Sequence, residues 1–190
     1  EAVPPGTNAA EHTPAAVIAR VKGQGAICVK AFFERGFGRD RNLPVPSAAV
    51  FAEIVKAAHA AGLPVLLHAS SLEAQRFGVD GRTDIFAHGL WNWGEFNGAA
   101  TLPTPVRSVL DEVAARRIGY MPTSQVLGGL RALYEPGFFD RPDVARVAPK
   151  SLLDWFRTPA GRWFPEAQAQ GRTDAQMREA FDSVLQREAE

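Results

Sequence analysis

The chain has 190 residues, enough for one sizeable core and not two. Its 21 Lys plus Arg balance its 21 Asp plus Glu, which excludes the basic footprint of a nucleic-acid binder or of an anionic-membrane binder and points to small-molecule partners. Hydrophobic residues make up 46% of the chain, and no run approaches the roughly 20 apolar residues that span a bilayer, so a soluble protein is expected.

The single cysteine, Cys28, excludes an internal disulfide and sits in an apolar run where an inert thiol is expected. The chain opens on Glu1 with no basic-then-apolar signal segment ahead of the fold. The expectation is that the natural start is missing, which leaves cytoplasmic and exported compartments both open.

Residues 1 to 14 carry Pro4, Pro5, Gly6 and Asn8 and read as an irregular lead-in. Thr13-Pro14 supplies an N-cap and a first-turn proline for a helix to about Lys22, with Val17, Ile18 and Val21 on one face. Ala26 to Phe33 (AICVKAFF) follows as a strand-length apolar run interrupted by one lysine. A buried ammonium without a partner is costly, so Lys30 in a core strand needs an explanation. Four remain open: a snorkelling lysine or an ion pair with Glu34, a Schiff-base lysine, a base of depressed pKa, or a modified lysine that binds metal. Residues 34 to 46 read as a functional-sized loop, and Ser47 to Ala61 as a helix stopped by Gly62. His59 in that helix reads as a packing or capping residue.

The stretch from Gly62 to Gly89 organises the chain. Val65-Leu66-Leu67 and Ile85-Phe86-Ala87 are short apolar runs that end in His68 and His88, with a helix-sized segment capped by Ser70 or Ser71 between them. In a parallel α/β sheet this repeat places both imidazoles at the carboxyl ends of neighbouring strands. Each histidine alone could be satisfied by a backbone carbonyl, but equivalent positions in successive units suggest a shared metal. Ser70 lacks the glycine-flanked elbow of a catalytic nucleophile.

Beyond His88, Trp91, Trp93 and Phe96 read as pocket walls or as packing over the strand ends. A helix is expected from Pro105 or Val106 to about Arg117, then a fourth strand at Ile118 to Met121. Residues 125 to 172 are rich in Gly, Pro and aromatics and read as a long loop or lid with two short helices, around Leu127 to Tyr134 and Ser151 to Arg157. Residues 173 to 190 read as a final amphipathic helix.

Taken together, AICVKAFF, AAHAAGLPVLLHA, DIFAHG and IGYMPTS resemble the metal-dependent amidohydrolase superfamily, in its branch similar to imidazolonepropionase and Xaa-Pro dipeptidases. They resemble that branch's fourth to seventh strands in order, over about Val17 to Ser124. The resemblance implies an α/β fold, an incomplete (β/α)8 TIM barrel covering strands 4 to 7, and a helix at 173 to 190 leading to the eighth. It implies divalent metal, zinc-like, with Lys30 as a carbamate ligand and His68 and His88 as metal ligands. It implies hydrolysis of C–N bonds (amide, lactam or peptide-like) by metal-activated water, on a small-molecule or dipeptide-like substrate.

The family's first-strand His-x-His pair and its eighth-strand aspartate do not occur in this chain, and Asp80 and Asp84 are poor substitutes for the latter. The expectation is therefore a fragment, inactive alone, whose exposed strand edges would invite association, including a homo-oligomer. The rival readings are a metal-free half-barrel serving as a binding or assembly module, and a Schiff-base lysine enzyme that leaves both histidines unexplained.

Overall fold

The computed structural model describes residues 5–36 and 42–190; residues 1–4 of the expected lead-in and 37–41 of the expected loop lie outside them. The first unit comprises the described residues of Glu1–Arg35 together with Leu43–Thr123, and the second contains Ser124–Ala189.

The first unit alternates helix and strand: α1 (Pro14–Gly23), β1 (Val29–Phe32), α2 (Ala48–Ala60), β2 (Val65–His68), α3 (Leu72–Asp80), β3 (Ile85–Ala87), α4 (Thr104–Ala115) and β4 (Gly119–Met121). Local chemistry sets the helix starts. Thr13, Ser47 and Ser71 each accept a hydrogen bond from the backbone N–H three residues on, which satisfies one of the donors left open in the first turn. At the other end of α2, Gly62 has φ +69, the left-handed conformation in which glycine carries no side-chain penalty.

The four strands are all parallel and lie in the order β1-β2-β3-β4. Strand order that never reverses is single winding. With right-handed crossovers it carries every connecting helix to the same face of the sheet. That face is the core: Val65, Leu67 and Phe86 are fully buried against Phe51, Val55 and Ala58 of α2, Ala74 and Val79 of α3, and Val109 and Val113 of α4. Each such large side chain contributes about 1.5–3 kcal/mol relative to exposure. Gly78 of α3 lets helix and sheet close up, since a Cβ there would lie 2.4 Å from the Phe86 ring and 2.7 Å from Leu67 Cδ2.

The opposite sheet face is open. Lys30 is exposed there, as are Phe32 at 55% and Met121 at 49%. This corrects the sequence expectation that Lys30 is buried in a core strand. Side chains alternate faces along β1, so Val29, Ala31 and Phe33 face the helices while Lys30 and Phe32 do not.

In the second unit, α5 (Ser124–Ala132) packs against α9 (Asp174–Ala189), and α6 (Pro142–Val147), α7 (Lys150–Phe156) and α8 (Trp163–Ala169) lie between them in sequence. Leu127, Tyr134, Leu153, Met177 and Phe181 are buried. Tyr134 donates to the Pro165 carbonyl over 2.9 Å, and its ring stacks on Phe181 with centroids 6.0 Å apart. The stretch expected as loop with two short helices is therefore more helical. Two of its prolines lie in the first turns of helices rather than breaking them: Pro142 is the first residue of α6 and Pro165 lies in the first turn of α8, where the missing N–H has no intrahelical partner to lose. Among the described residues, no helix is long and apolar enough to cross a membrane.

Candidate functional site

The carboxyl ends of the first three strands gather the residues singled out in the sequence. In register, Lys30 pairs with Leu66 and Phe32 with His68, so Lys30 and His68 lie on the same, open sheet face, two register positions apart. His88 follows β3 directly, and its ring lies edge-on to that of His68 with centroids 4.5 Å apart and planes at 70°. The two imidazoles are thus brought together. Two aromatic rings enclose them: Phe32 stacks on His68 at 3.9 Å and 17°, and Trp91 tilts over His88 at 5.1 Å.

One nitrogen of each ring faces an oxygen. His68 Nε2 lies 3.4 Å from Glu34 Oε2, and the same carboxylate oxygen accepts a hydrogen bond from Ser70 Oγ at 2.7 Å. The His68 and Glu34 side chains are only 7% and 12% exposed, so this contact is held away from bulk water. His88 Nδ1 lies 2.8 Å from Thr123 Oγ1, at the end of β4. Burial, reinforced by the charges of His68 and Lys30 and opposed by Glu34, holds the His88 pKa below the ordinary imidazole value. A ring so placed stays neutral and keeps a lone pair for a ligand near neutral pH. Lys30 is therefore within electrostatic reach of His88, although it is not a buried lysine.

Backbone strain collects at the same point. His88 has φ +81 and Thr123 has φ +55, both in the left-handed region that non-glycine residues seldom adopt. Each such residue costs on the order of 1–3 kcal/mol, and such strain persists where surrounding structure over-determines it. Here the surrounding structure is a pair of backbone bonds beyond the ladder: His88 N–H donates to Met121 O at 2.9 Å, and Gly89 N–H donates to Pro122 O at 2.8 Å.

Other candidates fall away from this cluster. Glu34, weighed in the sequence as an ion-pair partner for Lys30, meets Ser70 and His68 instead. Ser70 is 4% exposed with its hydroxyl engaged by Glu34. His59 lies at the other end of the sheet, with Nε2 2.8 Å from Asp84 Oδ2, which also accepts from Val65 N–H at 2.7 Å. Asp84 is thus a clamp on the start of β2, and Asp80 closes α3. Trp93 is 2% exposed in a satellite core with Leu90 and Val106, with its indole N–H given to Leu90 O. Of the aromatic stretch after His88, Trp91 meets the His88 ring and Trp93 packs.

Glu34 and Thr123 had no sequence signal as partners of the histidines, because both are brought in by strand register across 34 and 35 residues. Among the described residues, no group of three or more His, Cys, Asp or Glu comes together that could hold a metal ion. The donor set here is two imidazoles, each with one nitrogen oriented by an oxygen neighbour, which is the usual setting of metal-ligating histidine. Lys30 as an ammonium adds no lone pair, and as a carbamate it would add oxygen donors.

No protein-family model matches the chain, and no curated protein matches it. Among solved structures, it is similar to a Xaa-Pro dipeptidase crystallised with methionine bound in the active site, at 19% identity and a TM-score of 0.49. The match covers 92% of this chain and 37% of the dipeptidase chain, so this chain spans little more than a third of that protein's length.

Proposed function

We propose that this chain supplies the central strands of a metal-dependent hydrolase that cleaves C–N bonds, amide, lactam or peptide-like, in a small-molecule or dipeptide-like substrate. The reading rests on one observation: Lys30 and His68 share the open face of β1 and β2, with the His88 imidazole 4.5 Å from that of His68. Single winding in the order β1-β2-β3-β4 suits a barrel, with the open face as its interior and the site at the carboxyl ends of the strands, corresponding to strands 4 to 7.

In this reading His68 and His88 hold a zinc-like ion, and Lys30 joins them as a carbamate. The exposed ammonium gives up one proton to solvent, and the resulting amine adds to carbon dioxide through a new N–C bond and releases a second proton, leaving an anionic oxygen donor. Exposure changes the argument for that step. Burial no longer drives Lys30 to lose its charge, and access to carbon dioxide and the attraction of a nearby cation for the carbamate take its place. A bound divalent ion would supply activation of water and polarisation of a carbonyl. Glu34, Ser70 and Thr123 orient the imidazoles, while Phe32 and Trp91 shield their ring faces from water.

The test is carbon-13 NMR of the chain equilibrated with labelled bicarbonate and zinc. A carbamate resonance that disappears in Lys30→Arg supports the assignment. No resonance in the unsubstituted chain at saturating zinc would remove Lys30 from the centre. The metal-free assembly-module reading has one observation in its favour, the open face with Phe32 and Met121, and it expects neither carbamate nor zinc.

A further inference from the structure

The contact between His88 and Thr123 is the meeting point of two features of the strand ends. Two non-glycine residues at adjacent strand ends both adopt left-handed backbone, with φ +81 and +55. Two backbone hydrogen bonds, His88 N–H to Met121 O and Gly89 N–H to Pro122 O, hold the segments in place beyond the end of the sheet. The outcome of that arrangement is a 2.8 Å contact between His88 Nδ1 and Thr123 Oγ1. Threonine is poorly suited to left-handed backbone, because its branched Cβ crowds the neighbouring carbonyl; asparagine or glycine would sit there with less strain. A hydroxyl is what threonine offers at this place and glycine does not.

We propose that Thr123 is a positioning residue that fixes the tautomer of His88: its hydroxyl oxygen accepts the Nδ1 proton, so that the Nε2 lone pair is presented to the ligand. The proposal rests on the metal reading only for what Nε2 is presented to. A neutral imidazole carries one proton, and which nitrogen holds it is set by the hydrogen bond made there. Without a partner on Nδ1, the side chain in water favours the proton on Nε2, which would block that nitrogen as a ligand. Trp91 over one side of the ring and His68 at its edge restrict rotation, so the hydroxyl acts on a ring already held in orientation.

The geometry gives different expectations for four chains. Thr123→Val keeps the shape and the backbone strain but has no acceptor. Thr123→Ser keeps the acceptor. Thr123→Gly lacks the acceptor and relieves the strain, so it reports on the hydroxyl even if the valine variant folds poorly. Long-range proton–nitrogen NMR of the metal-free chain, at a pH where His88 is neutral, reads the tautomer directly. The proton is expected on Nδ1 in the unsubstituted chain and in Thr123→Ser, and on Nε2 in Thr123→Val and Thr123→Gly. Zinc titration of the same four proteins should show about a tenfold to hundredfold loss of affinity in the valine and glycine variants, with serine retaining affinity. A proton on Nε2 in the unsubstituted chain, or one tautomer common to all four, overturns the proposal. If the tautomers follow the hydroxyl while zinc fails to bind the unsubstituted chain, the positioning role stands and the metal reading falls.

Discussion

Gly78→Ala should destabilise the protein, although alanine is the better helix former. In α3 the exchange gains about 0.8–1.0 kcal/mol of helix propensity. Against this, the new methyl would lie 2.4 and 2.8 Å from two carbons of the Phe86 ring and 2.7 Å from Leu67 Cδ2. Phe86 and Leu67 are both fully buried, and Phe86 is further confined by Tyr120, whose ring centroid is 6.3 Å away. Neither can swing into solvent, so the helix must lift or the core must distort, at a cost of about 1–3 kcal/mol. The net loss is up to about 2 kcal/mol, from the difference of those two ranges. Phe86→Leu removes the ring behind two of these three contacts and leaves the one with Leu67 Cδ2, so in that background Gly78→Ala should cost less than in the unsubstituted chain. The assay is urea unfolding of the four chains of the double-mutant cycle, with a coupling of about 0.5–3 kcal/mol expected. Stabilisation by Gly78→Ala in the unsubstituted background, with no coupling to Phe86, would refute the close approach that sets β2 and β3, and with them His68 and His88, against α3.

Asp84→Ala should cost about 1–3 kcal/mol, because Val65 N–H loses its acceptor and His59 its partner; Asp84→Asn, which keeps a carbonyl oxygen for Val65, should cost less in the same denaturant experiment. Burial pushes the Tyr134 hydroxyl above its ordinary pKa of 10.0. The folded state then holds this proton more tightly than the unfolded state, so the contribution is fully present below pH about 10 and is lost as pH rises through the folded value. Thermal melts should show a decline above that pH that is reduced in Tyr134→Phe, and an identical decline in both proteins would contradict it. Ser70→Ala removes the 2.7 Å hydrogen bond that orients Glu34 toward His68 and should lower zinc affinity while leaving far-ultraviolet circular dichroism unchanged. Retention of full affinity would make that hydrogen bond irrelevant to the site.

The parts of the fold legible in sequence are those carried by local signals. Thr13 and Ser47 mark helix starts, Gly62 marks an end, and the paired apolar runs ending in His68 and His88 mark strands, all readable within a few residues. What was not legible depends on faces and on distance. AICVKAFF looks uniformly buried because Phe32 is as apolar as Phe33. Only the sheet shows that Phe33 enters the core at 4% exposure while Phe32 shares the open face with Lys30. The helices at Pro142 and Trp163 were hidden because proline reads as a breaker unless its position in the first turn is known. Glu34 and Thr123 reach the histidines through register and strained turns, which no periodicity encodes.

The central claim is that Lys30, His68 and His88 form one metal centre. Its most direct measurement is zinc stoichiometry and affinity by calorimetry on the chain with bicarbonate present, alongside His68→Ala, His88→Ala and Lys30→Ala. The expected result is a bound zinc whose affinity falls by at least about tenfold in each variant. A chain that binds no zinc, or that binds it equally well after each of the three substitutions, would contradict the account.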